Sequence, residues 1–137
     1  MKCVFCDIAR GSASAFTVYE DERLIGFLDV RPLFPGHVLL IPREHVETLP
    51  ELPTELVQPL FETAQRMCRA VERAMNAEGT FVAINNVVSQ SVPHLHVHVV
   101  PRRKGDGMKG FFWPRTKYSS DEHARETASA IRAALGA

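Results

Sequence analysis

The chain has 137 residues, and its sixteen lysines and arginines balance sixteen aspartates and glutamates. That length suits one domain, residues 1–137, with a real core and a single site, and the balance excludes a global field drawing the chain onto duplex nucleic acid or an anionic membrane. No apolar run approaches the roughly 20 residues of a membrane span, and the opening MKCVFCDIARGS lacks a secretory signal's apolar stretch and cleavage site, so the expected compartment is cytoplasmic.

The first residues read as a short helical turn carrying Cys3 and Cys6. Three cysteines are an odd number, which argues against a disulfide framework and leaves a metal site, a redox pair or two small core residues as readings of the pair. Residues 16–20, 24–30 and 37–43 are rich in β-branched and aromatic side chains, and the turn-forming DER and RPLFPG separate them. They predict an antiparallel meander.

From Leu56 the period changes. Leu56, Leu60, Ala64, Met67, Val71 and Met75 form one stripe of an amphipathic helix ending near Gly79. Pro59 is accommodated if the helix starts near Val57, because proline is tolerated in a first turn and disruptive later. Cys68, beside the stripe, reads as a small core residue.

Residues 80–85 and 94–100 return to strand character on either side of the turn NVVSQSVP. Ser119 and Glu122 in capping-box spacing, Asp121 in a first turn, and Ala124, Ala128, Ile131 and Leu135 then predict a final helix. The order of strands, long helix, two strands and helix predicts an α+β domain with helices on an antiparallel sheet.

The second half also holds SVPHLHVHVVPRR, residues 91–103, with His94, His96 and His98 at alternate positions. On a strand these three share an outward face, while Leu95, Val97 and Val99 face the core. Neighbouring histidines then lie about 6.6 Å apart and the outer two roughly 13 Å, so with Zn–N bonds of about 2.0 Å two can share a metal but three cannot. Surface histidines are the plain alternative. A neutral imidazole is a nucleophile that needs no strong base, and a neighbouring ring can hydrogen-bond a developing anion, which suits covalent catalysis at phosphorus.

His94-Leu95-His96-Val97-His98-Val99-Val100 resembles the signature of the histidine triad (HIT) superfamily. FLDVRPLFPGHVLLIPREHV resembles that family's first half and SQSVPHLHVHVVPR its second, covering with the helix between them nearly the whole chain. The resemblance implies a HIT-like antiparallel sheet of about five strands, a long central helix, a short N-terminal helix and a C-terminal helix. It implies a nucleotide hydrolase or nucleotidyl transferase acting at the α-phosphate of phosphoramidates, aminoacyl adenylates or dinucleoside polyphosphates.

Carried over by position, His96 is the nucleophile that forms a nucleotidyl-histidine, His98 serves the phosphate oxygens or the leaving group, and the backbone at His94 orients His96. Asp29 matches the position that accepts from the ribose hydroxyls, Gln90 and Ser91 polar residues at the phosphates, and Asn85 a contact on the 5' side. Similarity to bacterial zinc-containing members of the Hint/Fhit-like type implies a structural zinc on Cys3, Cys6, His45 at the end of PREH, and His94. It also implies no organic cofactor, a purine nucleotide substrate, and a homodimer in which Trp113 of the basic stretch PRRKGDGMKGFFWPRTK contributes to substrate choice.

One stretch departs from the family pattern: where relatives usually carry glycines, this chain reads NNVVSQ, with Val87, Val88 and Ser89. That substitution, with the basic aromatic stretch, motivates an alternative reading as a catalytically weak purine-nucleotide-binding regulatory module. A zinc hydrolase with His94 and His96 as neighbouring ligands is a further alternative.

Overall fold

The structure, a computed structural model, describes residues 2–108 and 115–136. They belong to two compact units divided after Asp106. The first contains α1 (Val4–Arg10), β1 (Thr17–Glu20), β2 (Leu24–Leu28), β3 (Val38–Pro42), a 3-10 turn (Leu49–Glu51), α2 (Thr54–Met75), β4 (Gly79–Ala83) and β5 (Val97–Arg102). The strands form one antiparallel sheet in the order β1-β2-β3-β5-β4.

β2 and β3 read LIGFL and VLLIP, continuous apolar runs rather than alternating ones, because both faces of the sheet are covered there. On one face Leu24, Val38, Leu40, Leu95, Val97 and Val99 pack against Leu56, Leu60, Ala64, Met67 and Val71 of α2. On the other, Ile25, Phe27, Leu39 and Ile41 lie under Cys3 and Phe5. Each large aliphatic side chain buried in these two layers contributes about 1.5–3 kcal/mol. Gly36, before β3, has φ +96°, and a Cβ there would stand 2.6 Å from Met75 Cγ. Only glycine meets both conditions, and the turn delivers His37 to the start of the strand.

Several expected boundaries move. α2 begins at Thr54, which places Pro59 in the second turn, where its ring nitrogen has no hydrogen for the Glu55 carbonyl. The buried stripe of Leu56, Leu60, Thr63, Ala64, Met67 and Val71 outweighs that local cost. β5 begins at Val97, so His94 to His96 precede it: the Leu95 N–H donates to the Val46 carbonyl at 2.7 Å and the His94 N–H turns back to Val92 at 2.8 Å. Leu95, Val97 and Val99 still face the core, each with no exposed surface.

In the second unit α3 (Asp121–Leu135) is capped by Ser120 rather than Ser119. Ser120 Oγ accepts from the His123 N–H at 3.0 Å, and His123 Nδ1 accepts from the Ser119 N–H at 3.2 Å. His123 thus takes the reciprocal role expected of Glu122. None of the α3 residues is buried.

Candidate functional site

Cys3 ends its extended segment as the N-cap of α1, its sulfur accepting from the Cys6 N–H at 3.3 Å. That one-turn geometry turns both thiols toward the histidines. Cys3 Sγ lies 3.4 Å and Cys6 Sγ 3.5 Å from His94 Nδ1, and Cys6 Sγ lies 3.2 Å from His45 Nδ1. A tetrahedron built on Zn–S bonds of about 2.3 Å and Zn–N bonds of about 2.05 Å has S···N edges of about 3.5 Å, so the donors already stand at the spacing of a Cys₂His₂ site.

The ring protons agree. His94 Nε2 faces the Pro42 carbonyl at 2.8 Å and must donate to it, which leaves Nδ1 bare toward the sulfurs. Burial keeps His94 below the usual imidazole pKa, favouring that neutral form. His45 Nε2 is buried without a partner among the described residues, and the other ring nitrogen, Nδ1, is the one that faces Cys6 Sγ. Burial, reinforced by Cys3, pushes the Cys6 thiol up, so metal binding there must release protons. The four residues fit a closed structural zinc. His96 is not among them.

His96 Nδ1 lies 2.7 Å from the carbonyl of His94 and donates to it, so in the neutral ring Nε2 carries a free lone pair. On its far side a second chain of bonds begins at the backbone. The Leu33 N–H donates to His37 Nδ1 at 3.1 Å, which forces the His37 proton onto Nε2, and this donates to His98 Nδ1 at 2.9 Å. His98 must then carry its proton on Nε2. The bare nitrogen of His96 and the N–H of His98 stand on neighbouring rings whose centroids are 4.9 Å apart. Burial first, then His96 and His37, hold the His98 pKa down to about 4, with Asp29 opposing; burial likewise lowers that of His37.

The row is not the outward-facing one expected from the strand pattern. His94 is 0% and His96 3% exposed, because α1 lies over that face, with the Phe5 ring 5.2 Å from His96 at 87° and 6.0 Å from His94. His96 Nε2 makes no hydrogen bond among the described residues.

Asp29 joins this side of the site. Its Oδ1 accepts from the Arg31 N–H at 2.9 Å and its Oδ2 lies 3.8 Å from His37 Nε2. Gln90 is committed differently from the expectation: its Oε1 accepts from the Val87 N–H at 3.1 Å and its Nε2 donates to the Glu47 carbonyl at 2.6 Å, bracing the loop. Asn85 is half-buried and Ser91 exposed in that same loop. Lys109, Phe111, Phe112 and Trp113 lie outside the described residues.

Sequence reasoning missed His37. A signal was there: a polar ring heading the continuous apolar run VLLIP must be buried, and a buried imidazole needs partners.

A model of the HIT domain matches residues 10–105. Among curated relatives the chain is 40% identical over 108 residues to an uncharacterised HIT-like protein of Mycobacterium tuberculosis, covering 77% of this chain and 75% of that one. It is 31% identical to an adenylylsulfatase of Arabidopsis thaliana, over 95% of this chain and 68% of that one, and 29% identical to an adenosine 5'-monophosphoramidase of Candida albicans, over 82% and 78%. Among solved structures, a HIT family protein from Bacillus subtilis superposes with a TM-score of 0.87 at 32% identity and 96% coverage of both chains. A zinc-bound histidine triad family protein from Mycobacterium smegmatis superposes with a TM-score of 0.75 at 37% identity, covering 98% of each.

Proposed function

The chain belongs to the HIT domain family, and from that premise we propose that it is a nucleotide hydrolase or nucleotidyl transferase working at the α-phosphorus of nucleoside 5'-phosphate derivatives. The observation that carries this reading is the proton arrangement at two adjacent rings: His96 Nδ1 donates to the His94 carbonyl, and the Leu33–His37–His98 chain leaves His98 with a free Nε2–H.

His96 Nε2 attacks phosphorus with its lone pair. A phosphorus–nitrogen bond forms as the bond to the leaving group breaks, and the leaving group departs with that electron pair, as a carboxylate or phosphate directly or as an amine protonated by water. The nucleotidyl-imidazolium is stabilised through its Nδ1–H by the His94 carbonyl. His98 Nε2–H donates to a phosphate oxygen as charge builds there, a fixed dipole that costs no reorganisation. Water then attacks phosphorus, the bonding pair returns to His96 Nε2, and the nucleoside monophosphate leaves with the water oxygen while the displaced proton passes to solvent.

Asp29 holds the ribose hydroxyls, and the backbone around Gln90 and Ser91, with Asn85, meets the phosphate side. Cys3, Cys6, His45 and His94 would hold a zinc with four protein donors, and it would supply bracing rather than hydrolytic chemistry. The same reading makes residues 1–137 one HIT domain, a cytoplasmic homodimer acting on purine nucleotides. Names of relatives that act on adenylyl sulfate or adenosine phosphoramidate support an adenylate substrate.

The test is AMP release from an adenosine 5'-phosphoramidate, an aminoacyl adenylate or a dinucleoside polyphosphate, with acid-quenched protein gaining the mass of one nucleotidyl group. His96→Ala should lose on the order of a thousandfold or more in kcat and all of that adduct. Equal activity in the variant would refute the nucleophile.

A further inference from the structure

The loop between β4 and the histidine run contains a backbone conformation that its residues disfavour. Val87 has φ 68° and Ser89 φ 62°, and the Val88 N–H bonds the Asn86 carbonyl at 2.8 Å across Val87, a γ-turn with its central residue in the left-handed region. For a β-branched residue that conformation is a true outlier. No packing among the described residues repays it, since Val87 is 75% and Val88 78% exposed.

The loop is nonetheless locked. Val87 N–H is held by Gln90 Oε1, Gln90 Nε2 by the Glu47 carbonyl, and the Leu49 N–H by Asn86 Oδ1 at 2.9 Å. The pinning segment is the one whose Val46 carbonyl takes the Leu95 N–H. The loop also leaves β4 from Ala83, which pairs with His98, and returns to the chain at His94. The loop thus joins the end of the strand paired with His98 to the run that carries His94 and His96, and it holds two isopropyl groups in a fixed shape that leaves them facing solvent. Strain of this kind persists at ligand clamps, where the ligand supplies the missing contacts.

We propose that Val87 and Val88 are specificity-determining residues that select substrates by the apolar character of the leaving group, a claim resting on the α-phosphorus chemistry above. Residues 84–93, INNVVSQSVP, contain no lysine or arginine. A polyphosphate leaving group gains no counter-charge from this loop, whereas an alkyl or aryl amine, or an acyl group with an apolar body, covers the two valines and removes their surface from water.

The experiment compares two adenosine phosphoramidates whose leaving amines match in length and basicity, hexylamine and 6-aminohexanoate. The native chain should favour the hexyl compound by about tenfold in kcat/KM, the size of a few apolar contacts. Val87→Gly with Val88→Gly should bring that ratio below about two. Val88→Thr, which keeps the shape and needs no change in backbone, should lower it severalfold and decides the matter if the double variant does not fold. A ratio that stays the same in the variants, with only thermal stability altered, overturns the proposal and reduces the loop to a structural oddity. Equal turnover of both compounds by the native chain overturns this proposal alone. Turnover of neither, nor of the unsubstituted phosphoramidate, removes the α-phosphorus reading and this one with it.

Discussion

Two clusters of donor side chains flank the histidine run: Cys3, Cys6, His45 and His94 on one side, Asp29, His37 and His98 on the other, each with its candidate ligand atoms within 4.8 Å of one another. By residue type and spacing both qualify as metal sites. The protons separate them. In the first, the Pro42 carbonyl takes the His94 Nε2–H and leaves Nδ1 bare toward two sulfurs. In the second, the Leu33 N–H occupies His37 Nδ1, so the nitrogen nearest Asp29 and His98 carries a hydrogen and donates it. A metal there would have to displace a proton already shared between two rings at 2.9 Å. One cluster is arranged to fit a metal and the other is a hydrogen-bond chain, and backbone groups decide which.

The sharpest way to break this contrast is to remove each side in turn. Cys3→Ala with Cys6→Ala should take the zinc content from one per chain to none and lower Tm on the order of 10 °C or more, as expected when a structural metal's binding energy is lost. Metal analysis beside a thermal melt checks it, and retained zinc would move the site elsewhere.

His37→Phe should leave the zinc content unchanged while lowering kcat about a hundredfold, because His98 loses the donor that fixes its tautomer. A variant that lost zinc instead would join the two clusters into one.

A smaller effect concerns pH. His98 has a folded pKa of about 4, below its unfolded value near 6.5, so between those values the unfolded chain binds more protons. Stability is therefore fully present above about pH 6.5 and is lost progressively as pH falls toward 4, with His37 adding in the same direction. Imidazole NMR should find His98 neutral at pH 5; a charged ring there contradicts the buried chain.

The smallest change is expected of Asp29→Asn. Asp29 raises the pKa of both His37 and His98, so the variant should move their titrations to lower pH still. An upward movement would mean that the carboxylate is not oriented toward His37.

Much of the fold was legible because period and punctuation agreed. The α2 stripe and the apolar β2 and β3 runs are buried as their patterns demand. The start of α2 was not, because Pro59 weighs heavily in a local reading and little against six buried side chains. The cluster of Cys3, Cys6, His45 and His94 was recoverable only through resemblance, since the pairings Cys3–His94 and Cys6–His45 span 91 and 39 residues and no local pattern predicts them. His37 stayed hidden because its partner His98 lies 61 residues away and meets it only once β3 and β5 have paired. Gln90 was placed at the phosphates by family position, and its bonds to Glu47 and Val87 could not be read from that match because they arise from the loop's own shape.

His94 contributes to the two halves through different atoms: its ring faces the cysteines, and its carbonyl aims His96. Every amino acid owns a carbonyl, whereas few own an imidazole. On the proposed reading, descendants of this chain could exchange residue 94, together with the sulfurs, and still keep His96 Nε2 in its orientation. Metal dependence and chemistry would then be free to drift apart in evolution, because the join between them runs through the main chain.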